Sequence, residues 1–480
     1  MRIQTISIVP ACFSIVIGLC HLSCKKLVTV PQPINSITST EEFNTDAQAN
    51  TAMAGIYTSM VNGRLSYSNG YTTILGGMSA DELFYYGTSD PIMMTFPINQ
   101  VVMSNSYTGT MWSTAYKAIY NANAVIEGIA ASTSGLLHDS ARQRLTAEAK
   151  FVRAFSYFYL VNLFGDVPLV QTVDFNKVRY MARTPVNDVY GQIIQDLKDA
   201  QSVLTPDSAK ERILPNKWAA TALLARVYLY KSDYENAAAQ ATAVISNTAM
   251  YKLETDPNAV FLNNSREAIW QLKQGTNDAN YKNATIEGFS LLPNPLATAK
   301  ASYCLTTSLL NAFEAGDKRR TAWVNSTNFG GAGLNYYPYK YKAGQANFST
   351  SAPTEYYMVF RLAEMYLVRA EATANGAAGG TAAAITDLNT IRSRAGLTAL
   401  SSSLTQAQVI TAVAKERQVE LFAEWGHRWF DLKRTGKAHD VLSALSWKQP
   451  WSGDYQLLYP IPPAEITTDP FLQQNPDYIQ

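Results

Sequence analysis

Along most of the chain, apolar residues recur at helical spacing in blocks separated by Gly, Pro, Ser and Asn. That spacing predicts amphipathic helices rather than strands. The first element begins near Thr40, where Thr40-Glu41-Glu42-Phe43 has the form of a capped helix start. Ala47 to Met60 then carries Ala, Met, Ile and Tyr with helical periodicity. Trp112 to Ile129 predicts a second helix, and 140–163 a long amphipathic third. The third stops at Phe164-Gly165-Asp166-Val167-Pro168, because Gly followed by Pro ends helical geometry. Residues 186–204 predict a fourth.

Residues 216–245 are the most informative stretch. Leu224, Ala225, Tyr228, Tyr234, Ala237 and Val244 recur at tetratricopeptide-like spacing, with Ser232-Asp233 as the turn. Ala225 and Ala237 are the small residues that let two antiparallel helices touch. Residues 357–375 and 381–395 form a similar pair, split by Gly376, Gly379 and Gly380. The segment 148–204 forms a third pair with a long insertion. Two regions break the pattern. Residues 62–110, rich in Gly, Ser, Asn and Tyr, predict irregular structure around short helices. Residues 250–355, rich in Asn, Gly, Pro and Tyr, are too long for a plain connection and predict loops, short strands and short helices that carry function.

The N-terminus reads differently. Residues 7–19 are apolar and uncharged, with Arg2 before them. The run is shorter than the roughly 20 residues a spanning helix needs, so it predicts a signal peptide. Leu22-Ser23-Cys24-Lys25-Lys26 follows, a small residue before Cys as in a bacterial lipobox, with His21 where an aliphatic residue is preferred. The expected organisation is a lipoprotein signal peptide over 1–23, a tether over 24–38 attached through acylated Cys24, and a single body over 39–480. The N-terminal part of that body spans about 39–245 and the C-terminal part about 260–480.

Composition narrows the function classes. Lys+Arg is 39 and Asp+Glu is 38, a balance that excludes nucleic acid as the main partner. Cleavage before Cys24 would remove Cys12 and Cys20, leaving Cys304 without a partner, so no disulfide framework is expected. The 28 Tyr and 8 Trp provide flat amphipathic surfaces suited to sugars or peptides. Only four His are present, without HExxH spacing or a His/Cys cluster, so neither metal nor other cofactor is expected. P-loop, GxSxG and strand-linked GxGxxG patterns are also missing. Paired carboxylates remain as a catalytic option. Glu416, Glu420 and Glu424 repeat every four residues among Lys415, Arg417 and Arg428, which suits ion pairing. Asp81-Glu82 precedes Phe84-Tyr85-Tyr86, and reads either as a polar pair beside sugar-stacking rings or as a turn acid beside buried Tyr.

The C-terminal motifs are more specific. Lys415 to Arg434 closely resembles the ER-x-x-E-L-x-x-E-G-x-R-W-x-D-L-x-R signature of SusD/RagB proteins, with Trp425 inserted between Glu424 and Gly426. Arg361 to Ala372 is similar to the family's R-x-A-E-x-Y-L-x-x-A-E-A helix. Tyr459-Pro460-Ile461-Pro462 and Gln474-Asn475-Pro476-Asp477-Tyr478 resemble its closing segments, with Asp477 in place of Gly. In residue terms these motifs are structural: Arg417, Arg428 and Asp431 suit buried charge-assisted bonds.

The resemblance implies a mainly α fold, in which tetratricopeptide-like hairpins form a right-handed superhelical scaffold with a loop-rich ligand face. It implies a non-catalytic, lipid-anchored outer-membrane protein at the cell surface. Such a protein would bind an oligosaccharide, or in some branches a peptide, and deliver it to a SusC-like TonB-dependent transporter. Ligand residues vary in the family. The candidates here are aromatic or acidic residues in loop-rich stretches: Asp81, Tyr85, Tyr86, Tyr303, Trp323, Tyr336 and Tyr337. Trp323→Ala is expected to weaken glycan binding and leave the fold intact. A glycoside hydrolase and a purely structural tetratricopeptide adaptor are the competing classes.

Overall fold

A computed structural model describes residues 42–478 apart from 62–64, 88–89, 207–210, 276–280, 295–300 and 329–332. The apolar leader, Cys24, the tether and Thr40-Glu41 lie outside the described residues. Helices of eight residues or more are α1 (Asp46–Val61), α2 (Tyr71–Ser79), α3 (Ser106–Ala131), α4 (Asp139–Phe164), α5 (Val186–Val203), α6 (Lys217–Tyr230), α7 (Tyr234–Ile245), α8 (Leu362–Ala374), α9 (Gly380–Arg394), α10 (Gln406–Glu420) and α11 (His427–Arg434). The strands are short: β1 (Leu83–Tyr85), β2 (Ala268–Leu272), β3 (Tyr303–Leu305), β4 (Val324–Asn328), β5 (Leu334–Pro338) and β6 (Tyr357–Arg361). They pair antiparallel as β1–β3, β2–β6 and β4–β5, and the chain is mainly α.

From α3 to α9 each helix packs on the next in sequence, and α10 closes against α8 and α9. Nearest-neighbour packing of this kind is how stacked helical hairpins bury a continuous core. The α6–α7 hairpin forms where its spacing predicts. Ala225 and Ala237 are fully buried, Ser232 takes a left-handed turn (φ 58°), and the Asp233 carboxylate caps α7 through Asn236 N–H. The long helix α4 departs from expectation. It is amphipathic only at its start; from Glu148 to Phe164 almost every residue is buried, because α1, α3 and α5 surround it.

Residues 357–361 are a strand, not the opening of a helix. All five are buried, as are all five of the partner β2. A strand covered on both faces loses its alternating pattern, and a short apolar run then reads equally well as helix. The chain turns helical at Leu362.

The family-like motifs at the C-terminus hold the molecule together. Gly426 adopts φ +68° and lies against α2: a Cβ there would come 2.8 Å from Thr72 O, and one on Gly76 would come 3.0 Å from Gly426 Cα. The two glycines therefore allow backbone-to-backbone approach between the 421–427 turn and α2. Trp425 is no mere insertion. It is buried, stacks on Tyr357 at 4.9 Å, donates Nε1–H to Met358 O, and donates its backbone N–H to Thr73 Oγ1 at 2.8 Å.

Charged side chains fill the space beneath. Arg319 binds Asp317, Glu416 (2.5 Å) and Glu420 (2.9 Å). Arg361 binds Glu420 (2.5 Å) and Glu424 (2.8 Å). Arg394 binds Glu267 (2.6 Å) and Glu420, and Lys340 binds Glu424. The three arginines around Glu420 hold its carboxyl well below the usual range against the opposing effect of burial. Arg417, Arg434, Asp431 and Glu371 form a second buried group. The helix-face glutamates are thus ion-paired core groups.

Glu287 is different, since no arginine compensates it. Tyr357 Oη donates to its Oε1 at 2.8 Å, and burial pushes its carboxyl up to about 8. The folded value lies above the unfolded one, so its stability contribution is complete below about pH 4.5 and lost as pH rises through about 8. Glu287→Gln retains the acceptor for Tyr357 and removes the ionisation. The variant is expected to melt several degrees above wild type at pH 8.5 and level with it at pH 5. Parallel melting curves for the two proteins across this range would contradict the assignment.

Candidate functional site

The predicted ligand residues fall into two groups. Trp323 is fully buried, donates Nε1–H to Pro257 O at 2.8 Å, and borders the charge network, with Lys340 Nζ 4.6 Å from its ring centroid. Asp81 is 1% exposed and held by Arg428 through bonds of 2.7 and 3.0 Å, with Ser308 Oγ donating at 2.9 Å. Neither side chain is presented to a ligand, so the sequence expectation for both is corrected. Glu82, beside Asp81, is also buried, and desolvation raises its carboxyl to about 8. The Asp81-Glu82 pair therefore belongs to the core.

The tyrosines behave otherwise. β1 and β3 place Tyr85 directly opposite Tyr303, with ring centroids 5.4 Å apart and about 8% of each exposed. Tyr86 follows at the strand end, 45% exposed, with its ring 5.1 Å from Phe84 and its N–H donating to Ser302 O. Tyr337, on β5, is buried against Cys304 and Ala301 on the other face of β3. Tyr336, next to it, is half-buried under the Arg320 guanidinium at 4.5 Å. The structure brings Tyr85 and Tyr303 together, whereas Tyr86 follows on the opposite face of the strand, against Phe84. Tyr337 is part of their support, and Tyr336 has a ring face already covered.

Two further tyrosines and a carboxylate complete the cluster, and the sequence reading missed all three. Tyr71 opens α2 and Tyr107 lies in the first turn of α3; their rings meet edge to face at 5.3 Å. Tyr107 Oη donates to Asp90, which also caps the Met93–Thr95 turn by accepting from Met93 N–H at 3.0 Å. Asp90 raises the phenol of Tyr107 above its ordinary value after desolvation, the larger cause. The Tyr303 phenol is also raised, first by burial and then by Tyr85, Tyr71 and Asp90. Asp90 thus acts on two phenols from separate segments, those of Tyr107 and Tyr303.

Local structure explains the placement. Asn105 caps α3 by accepting from Tyr107 N–H at 2.9 Å, and its amide donates to Thr95 Oγ1, tying the Asp90 turn to the helix. The Ser66–Gly70 turn launches α2; Gly70 has φ +89°, and its N–H donates to Tyr357 Oη. The Arg428–Asp81 bond fixes the chain two residues ahead of β1. The C-terminal motif therefore positions the cluster without lining it. The only earlier hint of Tyr71 and Tyr107 was that both begin helices directly after turn-forming residues.

A cleft of about 200 Å³ is lined by Ser66, Tyr67, Ser68, Thr110, Thr114 and Lys117 among others. In the cluster itself Tyr71, Tyr107 and Asp90 are half-buried and Tyr85 and Tyr303 nearly covered. Its hydroxyls and Asp90 can donate to and accept from polyol hydroxyls, and aromatic rings pack on sugar C–H faces. Among the described residues, no group of three His, Cys, Asp or Glu is arranged to hold a metal ion, and no helix is long and apolar enough to cross a membrane.

Comparison with known proteins agrees with this architecture. Residues 35–229 match the family described as "Starch-binding associating with outer membrane", and 324–478 match the "SusD family". The chain is 28% identical to SusD-like protein P2 of Formosa agariphila, over 97% of this chain and 98% of that one. A SusD superfamily protein of Bacteroides vulgatus superposes with a TM-score of 0.77 at 22% identity, covering 90% of this chain and 99% of that one. A laminarin-binding SusD-like protein superposes at 0.75 with 26% identity, covering 91% and 100%. With its two matched segments, its motifs and its fold in agreement, the chain belongs to the SusD/RagB family.

Proposed function

We propose that this protein captures an oligosaccharide at the cell surface, on the cluster of Tyr71, Tyr85, Tyr107 and Tyr303, and passes it without catalysis to a SusC-like TonB-dependent transporter. The observation that carries this reading is an aromatic cluster in which Tyr71 packs on Tyr107, Tyr85 packs on Tyr303, and Tyr107 Oη donates to the Asp90 carboxylate. The carboxylates offered for glycosidase chemistry, by contrast, are buried in the ionic core. The family's starch-binding description and the laminarin-binding relative support a glycan as ligand. Cys24 serves as the lipid anchor, so Cys24→Ser is expected to move the protein from the membrane to the soluble fraction. An unchanged distribution in cells lacking the transporter would place the anchor elsewhere.

The site is tested with laminari- and malto-oligosaccharides by calorimetry. Tyr107→Ala removes one ring and the hydroxyl bonded to Asp90, together about 1.4 kcal/mol or more, so affinity should fall about tenfold or further. The melting temperature of the variant serves as its folding control. Wild-type affinity in a folded Tyr107→Ala protein would remove the cluster from the site. Binding of peptides in place of every glycan would replace the ligand class.

A further inference from the structure

The cluster contains one charged side chain, and its surroundings are specific. Asp90 accepts from Met93 N–H and Tyr107 Oη, and pairs with no cation among the described residues. It is half-buried, beside the rings of the cluster. Its two bonds come from a backbone N–H and a phenol, both neutral donors.

Among the described residues, cations on other elements are committed elsewhere. Arg320 lies on the ring of Tyr336. Lys342 donates Nζ to the carbonyl oxygens of Ala322 and Tyr339. Lys448 is buried and donates to Met78 O, Ser79 O, Pro97 O and Asn99. Lys117 lies ten residues beyond Tyr107 on α3, about 15 Å along the helix.

We infer that Asp90 makes the site selective for uncharged oligosaccharides and excludes uronate, sulfated and phosphorylated ones. This rests on the cluster being the glycan site. A polyol hydroxyl can replace or share the Tyr107 hydrogen bond as a donor to the carboxylate. A uronate at the same place puts two like charges within a few ångströms, and among the described residues no arginine or lysine is paired with Asp90 to receive the second. Such a pair repels by about 1 kcal/mol in bulk water at 4 Å and by several times that where water is partly excluded. The direct readout is therefore discrimination of about tenfold or more between a neutral chain and its acidic counterpart.

The test uses two ligands that differ only in charge. Laminarihexaose and maltohexaose are compared with the same chains oxidised at C6 to polyuronates, by calorimetry at pH 7 and constant ionic strength. Asp90→Asn is nearly isosteric: its Oδ1 still accepts from Met93 N–H, and its Nδ2 donates to Tyr107 Oη where the carboxylate accepted from it. Wild type should bind a neutral hexaose at least tenfold more tightly than its oxidised form, and Asp90→Asn should shrink that ratio to about threefold or less. Equal binding of the two forms by wild type, or a ratio unchanged in Asp90→Asn, overturns the charge selection. If Tyr107→Ala still weakens both forms in that case, the site stands and only its selectivity is lost. Binding of acidic chains alone, or of no neutral glycan in a wider panel, also overturns it. If Tyr107→Ala is then without effect, the site assignment fails with it.

Discussion

Arg361→Ala is expected to destabilise the protein by about 3–5 kcal/mol or more, enough to unfold many domains whose whole stability is about 5–15 kcal/mol. The guanidinium is almost fully buried and bonds Glu420 and Glu424 through four contacts between 2.5 and 2.8 Å, with Glu267 at 3.5 Å. Removing it leaves three carboxylates in the interior with Arg319, Arg394 and Lys340 to neutralise them. Breaking a buried pair is expensive for that reason, whereas the half-exposed Lys415–Glu314 pair is worth at most about 1 kcal/mol. Chemical denaturation of Arg361→Ala and Lys415→Ala should separate them clearly. Similar midpoints would show that the network is not what holds α10, β6 and the 421–427 turn together.

Trp323→Ala should behave as a core deletion, lowering stability by about 3–5 kcal/mol. Its indole is fully enclosed, packs against Phe261 at 5.8 Å, and screens Lys340, Arg361 and Arg394 from the loop above. Truncation opens a cavity and loosens the packing around those charges. Glycan affinity in the fraction that remains folded should not change. A stable Trp323→Ala protein with weakened binding would restore Trp323 as a ligand residue and count against the tyrosine site.

The contrast between Trp323 and Tyr107 shows where sequence reading succeeds and where it stops. Helices α3 to α7 were legible because each carries a long run of apolar periodicity closed by a Gly, Pro or Asp signal, such as Gly165 or Asp233. β6 was not, because Tyr357 to Arg361 is buried on both faces and has no alternation. The motif glutamates were rightly assigned to ion pairs, since opposite charges at helical spacing ask for partners. Their depth was not visible, because Asp317, Glu267 and Lys340 come from distant segments.

For the site, composition points to tyrosines in loop-rich stretches, and of those Tyr85 and Tyr303 fall within the cluster proposed as the site. An aromatic in a loop-rich stretch is as often a lid on the core as a platform, and Trp323 is such a lid. Tyr71 and Tyr107 lie within 62–110, read as irregular structure, and nothing in their spacing singles them out from the other tyrosines there. Their convergence depends on the Asn105 cap and the Gly70 turn, contacts that sequence spacing does not reveal. Asp81 drew attention by its neighbours, yet its partner Arg428 lies hundreds of residues away and turns it into an anchor for β1.

The central claim is that the tyrosine cluster is where a glycan sits. The most direct measurement is a crystal structure of the protein soaked with laminarihexaose or maltohexaose, whichever binds. The ligand should lie within van der Waals contact of Tyr107 and Tyr71, with a sugar hydroxyl donating to Asp90. An oligosaccharide bound with full occupancy on any other surface, with the cluster bare, would contradict the account.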